Sequence, residues 1–167
     1  MEIAFSLGSN EGDRLARLSE TGRRIGKIPG VRAVARSLVY ETEPVDMARE
    51  YAAMLFLNAV MIVETNLEPH DLLRHLHAIE RDMGRKRGPG RNLPRPIDID
   101  IIYAGELACN DAVLTIPHPA WAQRRFVVQP LCDVRPQVRV PGQTRTVQEI
   151  LASLAIVPAV KVVQEDW

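Results

Sequence analysis

The sequence predicts an α+β sandwich, a mainly antiparallel sheet with helices packed on it. Three observations lead there. Strand-like and helix-like stretches alternate along the chain without internal repeats or low-complexity segments. The strand signals follow one another mainly in hairpin order, and two intervening stretches carry apolar stripes at helical spacing. At 167 residues the chain is long enough for one well-buried domain and short for two, so a single domain over residues 1–167 is expected.

Taken in order, "EIAFSL" reads as a first strand, closed by the turn residues Gly8, Ser9 and Asn10. Leu15, Leu18, Gly22 and Ile25 recur at helical spacing, and this first helix ends before Pro29-Gly30. "VRAVARSLVYETEPV" is rich in β-formers and reads as a second strand running into a loop; "FLNAVMIVET" is a third. Pro69 opens a second helix at an allowed first-turn position, with Leu72, Leu76, Ile79 and Met83 as its stripe and Gly84 as its stop. Next comes "PIDIDII", whose period of two marks a half-buried strand with Ile97, Ile99 and Ile101 on one face and Asp98 and Asp100 on the other. A short helix near "TVQEILAS" and a last strand "AVKVVQ" complete the set.

Composition narrows the classes of function. Hydrophobic residues at 46% and charged residues at 25% suit a globular protein in water. Lys plus Arg (21) balances Asp plus Glu (21), whereas a dedicated nucleic-acid binder is usually more basic. No apolar run approaches the ~18 residues of a membrane span, and "MEIAFSLGSN" is not built like a secretory signal. Cys109 and Cys132 suit a reducing compartment and cannot make a Cys-rich zinc site; His70, His75 and His77 show no H-E-x-x-H pattern. A cytoplasmic location is expected, and a zinc site is not.

Two constellations carry chemistry. Asp98 and Asp100 sit on one strand face with Cα atoms roughly 6.6 Å apart, and like charges that close disfavour ionisation. Five residues alone leave two readings open: a solvated sheet face, or a carboxylate pair that shares divalent cations. Immediately before them, "GRKRGPGRNLPR" packs Arg85, Lys86, Arg87, Arg91 and Arg95 among glycines and prolines, donors suited to phosphate oxygens. Arginines beside a metal-seeking carboxylate pair are expected for a nucleoside triphosphate with Mg²⁺, although neither a P-loop nor a dinucleotide fingerprint is present. The same loop, from Gly84 to Pro94, is expected to close over a bound triphosphate. The second constellation is Phe56 and Asn58, two residues apart on one strand face, where an amide can read a ring's edge and an aromatic can stack on it. Phe126, after Arg124 and Arg125, could be the opposite wall, and His118 is held between Pro117 and Pro119.

With "LGSNEGDR", "YETEPV", "FLNAV", "IERDMGR", "PRPIDIDII" and "LTIPHPAWAQRRFVVQPLCDV" in this order, the sequence resembles the 6-hydroxymethyl-7,8-dihydropterin pyrophosphokinases of folate biosynthesis over nearly its whole length. The resemblance implies a ferredoxin-like α+β fold and an enzyme that moves the terminal pyrophosphoryl unit of ATP onto the pterin's hydroxymethyl oxygen, releasing AMP. It implies two Mg²⁺ ions held by Asp98 and Asp100, and Arg85 and Arg95 beside them in catalysis. His77, Glu80, Arg87, Arg95, Ile101, His118 and Arg124 match nucleotide-contacting positions. Thr42, Pro44, Val45, Phe56, Asn58 and Phe126 match the pterin pocket. On this reading the acidic strand face lacks cations because metals supply them. A monomer with ATP and the pterin as its partners, and neither nucleic acid nor membrane, is expected.

The chain departs from the family pattern at Leu93, where a small residue is usual before Pro-Arg, and at Val113, where some members have a nucleotide-contacting arginine. The segment "DMAREYAAML" also differs in length and composition from the usual Gly- and Asp-rich loop. Two other classes are weighed against the enzyme. An RNA-binding α+β module would stack bases on Phe56 and Phe126, but the neutral charge and acidic face oppose it. A nucleotide-binding domain without activity would have no need of Asp98, Asp100 and Arg95 together.

Overall fold

The structure, a computed structural model, describes residues 1–45, 47–86, 93–156 and 159–167. In chain order its elements are β1 (Glu2–Ser9), α1 (Arg14–Ile25), β2 (Val31–Arg36), β3 (Val39–Thr42), β4 (Phe56–Thr65), α2 (Pro69–Asp82) and β5 (Asp98–Ala104). There follow the short pair β6 (Cys109–Asn110) and β7 (Thr115–Ile116), then α3 (Arg125–Val134), α4 (Val147–Ser153) and β8 (Val160–Gln164). The main sheet runs β5-β1-β4-β3-β8, with β2 also paired to β4, and every pairing is antiparallel.

Both faces of the sheet are covered. Ile3, Phe5 and Leu7 of β1 pack with Leu18 and Ile25 of α1, Leu72, Leu76 and Ile79 of α2, and Ile97, Ile99 and Ile101. The opposite face joins Ala4, Val60, Ile62 and Ile102 to Val127, Val128 and Leu131 of α3 and to Val147 and Ile150 of α4. Alternation along β1 sends odd and even residues to different cores, as a period of two requires. At the far end of β5 the register slips by one residue opposite Ala4 and Phe5, so Ile101 lies in the first core while Ile102 and Tyr103 lie in the second.

Three expectations are corrected. The stretch read as one strand from Val31 is two, because Ser37 interrupts the ladder: its hydroxyl accepts from Val60 N at 2.8 Å while its own N–H donates to Val60 O at 2.9 Å. Helix α3 has no counterpart in the reading from sequence. Val127, Val128 and Leu131 form its apolar face, but Pro130 in its interior and two adjacent valines hide that pattern. Finally, Gly8 and Ser9 belong to β1 and do not form a closing turn. Among the described residues no helix is long and apolar enough to cross a membrane.

Candidate active site

The register of the sheet builds the floor of a cavity. Asp98 lies opposite Gly8, and Gly8 lies opposite Asn58 on β1's other neighbour, with Tyr40 beyond; Asp100 lies opposite Ser6. The small residues matter. A Cβ on Gly8 would sit 3.1 Å from Asn58 Oδ1, so glycine leaves the floor open between the aspartates and the amide. Asn58 is buried and donates its amide N–H to Thr42 Oγ1 at 2.7 Å, which fixes the orientation of its side chain. Phe56 and Phe126 form walls, and each carries a guanidinium, Arg95 at 5.1 Å from the Phe56 ring centre and Arg124 at 5.8 Å from that of Phe126. The space, roughly 670 Å³ measured out to its mouth, is lined by Thr42, Val45, Phe56, Asn58, Arg95, Asp98, Asp100, Arg124 and Phe126, which the sequence anticipated, and by Ser6, Gly8, Glu43 and Met47, which it did not.

The acidic face is not empty of cations, contrary to the expectation from sequence. Arg85 Nη1 donates to Asp98 Oδ1 and to Glu80 Oε1, and Arg95 Nε lies 2.7 Å from Asp98 Oδ2. That last contact is an ion pair by distance but lies off the line of a hydrogen bond, so the buried Arg95 Nε–H lacks an acceptor among the described residues. Burial disfavours the charge on Arg85, yet Asp98 and Glu80 outweigh it and hold the guanidinium more firmly protonated than usual. Asp100 faces the opposite balance. Burial first and the Asp98 charge second push its acid up to about 7, and Arg85 and Arg124 offset this only partly. Burial, with the Arg124 charge, also lowers the basicity of His118. The oxygen-only donor set of Asp98 and Asp100, one of them resisting ionisation, fits a hard divalent cation such as Mg²⁺.

The remaining anticipated residues fall into distinct places. Glu80 is 1% exposed and accepts from Ile99 N at 2.9 Å, clamping the end of α2 to β5. His77, Glu80 and Arg85 line an adjoining hollow of roughly 520 Å³, and the Arg85–Asp98 pair joins it to the first. Ile101 has its side chain in the α1/α2 core, so only its backbone could approach a ligand. His118, partly buried, accepts from Ala120 N at its Nδ1 (3.1 Å); it and Pro44 are not among the cavity-lining residues. Val113 is 70% exposed at the β6–β7 turn. Arg87 and Arg91, with most of the basic loop, lie outside the described residues.

The sequence reading missed the supporting residues. Ser9 Oγ donates to Pro96 O at 2.7 Å, and Asn10 Oδ1 accepts from Arg95 N at 2.8 Å, so the end of β1 holds the Arg95 segment in place. Asp13 caps α1, and Arg14 reaches Leu55 O and Glu41, each at 2.9 Å. The "LGSNEGDR" stretch therefore braces both sides of the cavity. Only its density of short polar residues after a strand hinted at this.

An open aromatic slot that ends in a carboxylate pair flanked by guanidiniums has the shape and charge to take a flat ring beside a phosphate chain. Comparison with known proteins agrees. Residues 4–136 match the model of the 7,8-dihydro-6-hydroxymethylpterin-pyrophosphokinase (HPPK) family. A 2-amino-4-hydroxy-6-hydroxymethyldihydropteridine pyrophosphokinase of Methylorubrum extorquens is 39% identical, over 90% of this chain and 91% of that protein. The mitochondrial folate synthesis bifunctional protein of Pisum sativum is 39% identical over 80% of this chain, which spans 25% of that relative's length. The structure of Plasmodium falciparum HPPK-DHPS with pteroate superposes with a TM-score of 0.69 at 15% identity, covering 90% of this chain and 42% of that one. The fold is thus the ferredoxin-like α+β fold of those domains, and the chain belongs to the HPPK family.

Proposed function

We propose that this chain, acting as one domain, transfers pyrophosphate from ATP to the hydroxymethyl group of 6-hydroxymethyl-7,8-dihydropterin and releases AMP. The observation that carries the reading is one cavity in which the Phe56 and Phe126 walls meet the Asp98–Asp100 pair. The pterin would lie between the aromatic rings, its edge read by Asn58 with Thr42, Pro44 and Val45 beside it, and its hydroxymethyl arm toward the aspartates. Asp98 and Asp100 would hold Mg²⁺, as two ions. Bound there, magnesium would neutralise phosphate charge and lower the pKa of the attacking hydroxyl.

The chain's own residues do the rest. Arg85 and Arg95 would exchange Asp98 for phosphate oxygens and stabilise the charge that develops on the bridging oxygen toward AMP. Glu80 would keep β5, and with it both aspartates, at a fixed distance from α2. His77, Arg87, His118, Arg124 and the backbone of Ile101 would hold the nucleotide. A loose transition state asks for alignment more than for a strong base. A monomer in a reducing cytoplasm belongs to the same proposal, and the two cysteines do not pair with each other. The test is to mix protein, Mg-ATP and the pterin and to identify the nucleotide product. AMP in step with the pyrophosphorylated pterin is expected; ADP, or no pterin-dependent product, would overturn the reading.

A further inference from the structure

A second group of ligand atoms lies away from this cavity. His70 stands in the first turn of α2, and Cys109 and Asp111 flank the start of the β6–β7 turn. His70 Nε2 is 2.7 Å from Asp111 Oδ2, Cys109 Sγ is 3.4 Å from the same oxygen, and all three ligand atoms lie within 4.8 Å of one another. Ten residues of helix, about 15 Å of rise, separate His70 from Glu80 at the other end of α2.

We propose that His70, Cys109 and Asp111 form a binding site for one borderline-soft divalent cation, of which Zn²⁺ is the type. Nitrogen, sulfur and oxygen from three side chains are the donors zinc takes in tetrahedral sites, with water completing the set. Magnesium would not choose them. With the thiol deprotonated, the three ligands carry two negative charges and balance the ion, the thiol proton passing to solvent. The geometry needs side-chain adjustment at an exposed surface and no movement of the backbone ladder between Cys109 and Ile116. Bonds of about 2.0–2.3 Å at tetrahedral angles put ligand atoms roughly 3.3–3.7 Å apart. The sulfur–oxygen spacing already fits, the nitrogen–oxygen spacing must open by about half an ångström, and the sulfur–nitrogen spacing, the widest of the three at up to 4.8 Å, must close by as much as about 1.3 Å.

Asp111 is set in advance for the role. Its Oδ1 accepts from Val113 N and Leu114 N at 2.8 and 2.9 Å, which leaves Oδ2 directed at the other two ligands. Those backbone bonds, with His70, also hold the Asp111 acid below its usual range. His70 and Asp111 are exposed enough for an ion to enter, and Cys109 is partly so. Two features oppose binding: burial and Asp111 keep the Cys109 thiol protonated above its ordinary range, and the start of a helix repels cations modestly. A metal–thiolate bond outweighs both. The site runs against the expectation from sequence, because its ligands come from positions 70, 109 and 111 and match no spacing motif.

The test uses the full chain, reduced and saturated with Mg²⁺ to occupy the aspartates, titrated with Co²⁺ and then Zn²⁺. One Co²⁺ per chain with a thiolate-to-cobalt charge-transfer band is expected, displaced by Zn²⁺. Cys109→Ser should abolish the band, His70→Gln should weaken binding at least about tenfold, and Cys132→Ser and Asp98→Asn should leave it unchanged. Zn²⁺ should also raise the melting temperature of the parent protein and not that of Cys109→Ser. No thiolate band at saturating Co²⁺, a band that survives Cys109→Ser, or one lost with Cys132→Ser would overturn the site. Asp111→Asn is avoided as a variant because the same carboxylate organises the turn.

Discussion

The two ends of the candidate active site are held by different forces. At the ring end, Phe56, Asn58 and Thr42 stand on paired strands, are buried, and are fixed by a neutral hydrogen bond between Asn58 and Thr42. At the phosphate end, Arg85, Arg95, Glu80 and Asp98 are held by one another's charges. The ring end is held without charge beneath the guanidiniums of Arg95 and Arg124, whereas at the phosphate end a cation on Asp98 would have to displace guanidiniums that already occupy both of its oxygens. On the proposed function, Arg85 and Arg95 would serve as stand-in counter-ions for Asp98 and would turn to phosphate oxygens once a metal was bound.

Breaking the charged end has the largest effect. Asp98→Asn or Asp100→Asn should cut turnover at saturating Mg²⁺ by at least ~10². The two variants should part company in stability. Asp98→Asn leaves Arg85 and Arg95 without their shared partner and should cost about 2 kcal/mol, since these side chains are mostly buried. Asp100→Asn removes a crowded like charge and should cost nothing at neutral pH. Urea unfolding of both variants checks this, and equal losses would mean that the charges are not divided as described.

Breaking the ring end should have a smaller and more selective effect. Phe126→Ala or Asn58→Ala should weaken pterin binding by about 1–3 kcal/mol, the range for an aromatic platform under a base, and leave the ATP affinity nearly unchanged. Isothermal calorimetry with each ligand separately decides it. An equal fall in ATP affinity would place the ring elsewhere.

What the sequence made legible follows the same division. A period of two exposed Asp98 and Asp100, and Phe56 and Asn58, because strand geometry alone decides which residues share a face. The partners of those residues were not legible in any local pattern; the family resemblance alone set Arg85 and Arg95 beside the aspartates. That Arg85 from the end of α2 would land on Asp98 depends on how a helix packs against a strand, which no local pattern encodes. The same holds for Asn10 under Arg95 and for Glu80, whose burial against Ile99 N is a contact across 19 positions. In the fold, the long continuous apolar run of β4 was plain, since both of its faces are covered, while α3 was hidden by Pro130.

The pH dependence of the metal-free protein sharpens the contrast between the two aspartates. In the unfolded chain Asp100 ionises near the ordinary value of about 4, whereas in the fold it holds its proton up to about 7. Between these limits the folded state binds more protons than the unfolded one, so this group makes stability fall as pH rises through that window. Asp100→Asn should flatten the decline. The measurement is the urea midpoint from pH 4 to 7 in EDTA, and an unchanged slope would show that Asp100 is not the strained member of the pair.

The smallest effect concerns the floor between the two ends. A methyl group at Gly8 would come to 3.1 Å from Asn58 Oδ1 and 3.7 Å from Phe56 Cδ1, tighter than ordinary contact with the amide but not with the ring. The amide could yield by a few tenths of an ångström only by straining its 2.7 Å bond to Thr42, and the methyl would narrow the path from pterin to aspartates. Gly8→Ala should therefore raise the KM for the pterin a few-fold, about 1 kcal/mol, while the KM for ATP stays where it was. Its φ is not in the left-handed region, so the backbone itself accepts alanine and the fold should survive. If instead turnover collapses with both KM values unchanged, the methyl has disturbed the aspartates across the register. Gly8 would then belong to the charged end of the site.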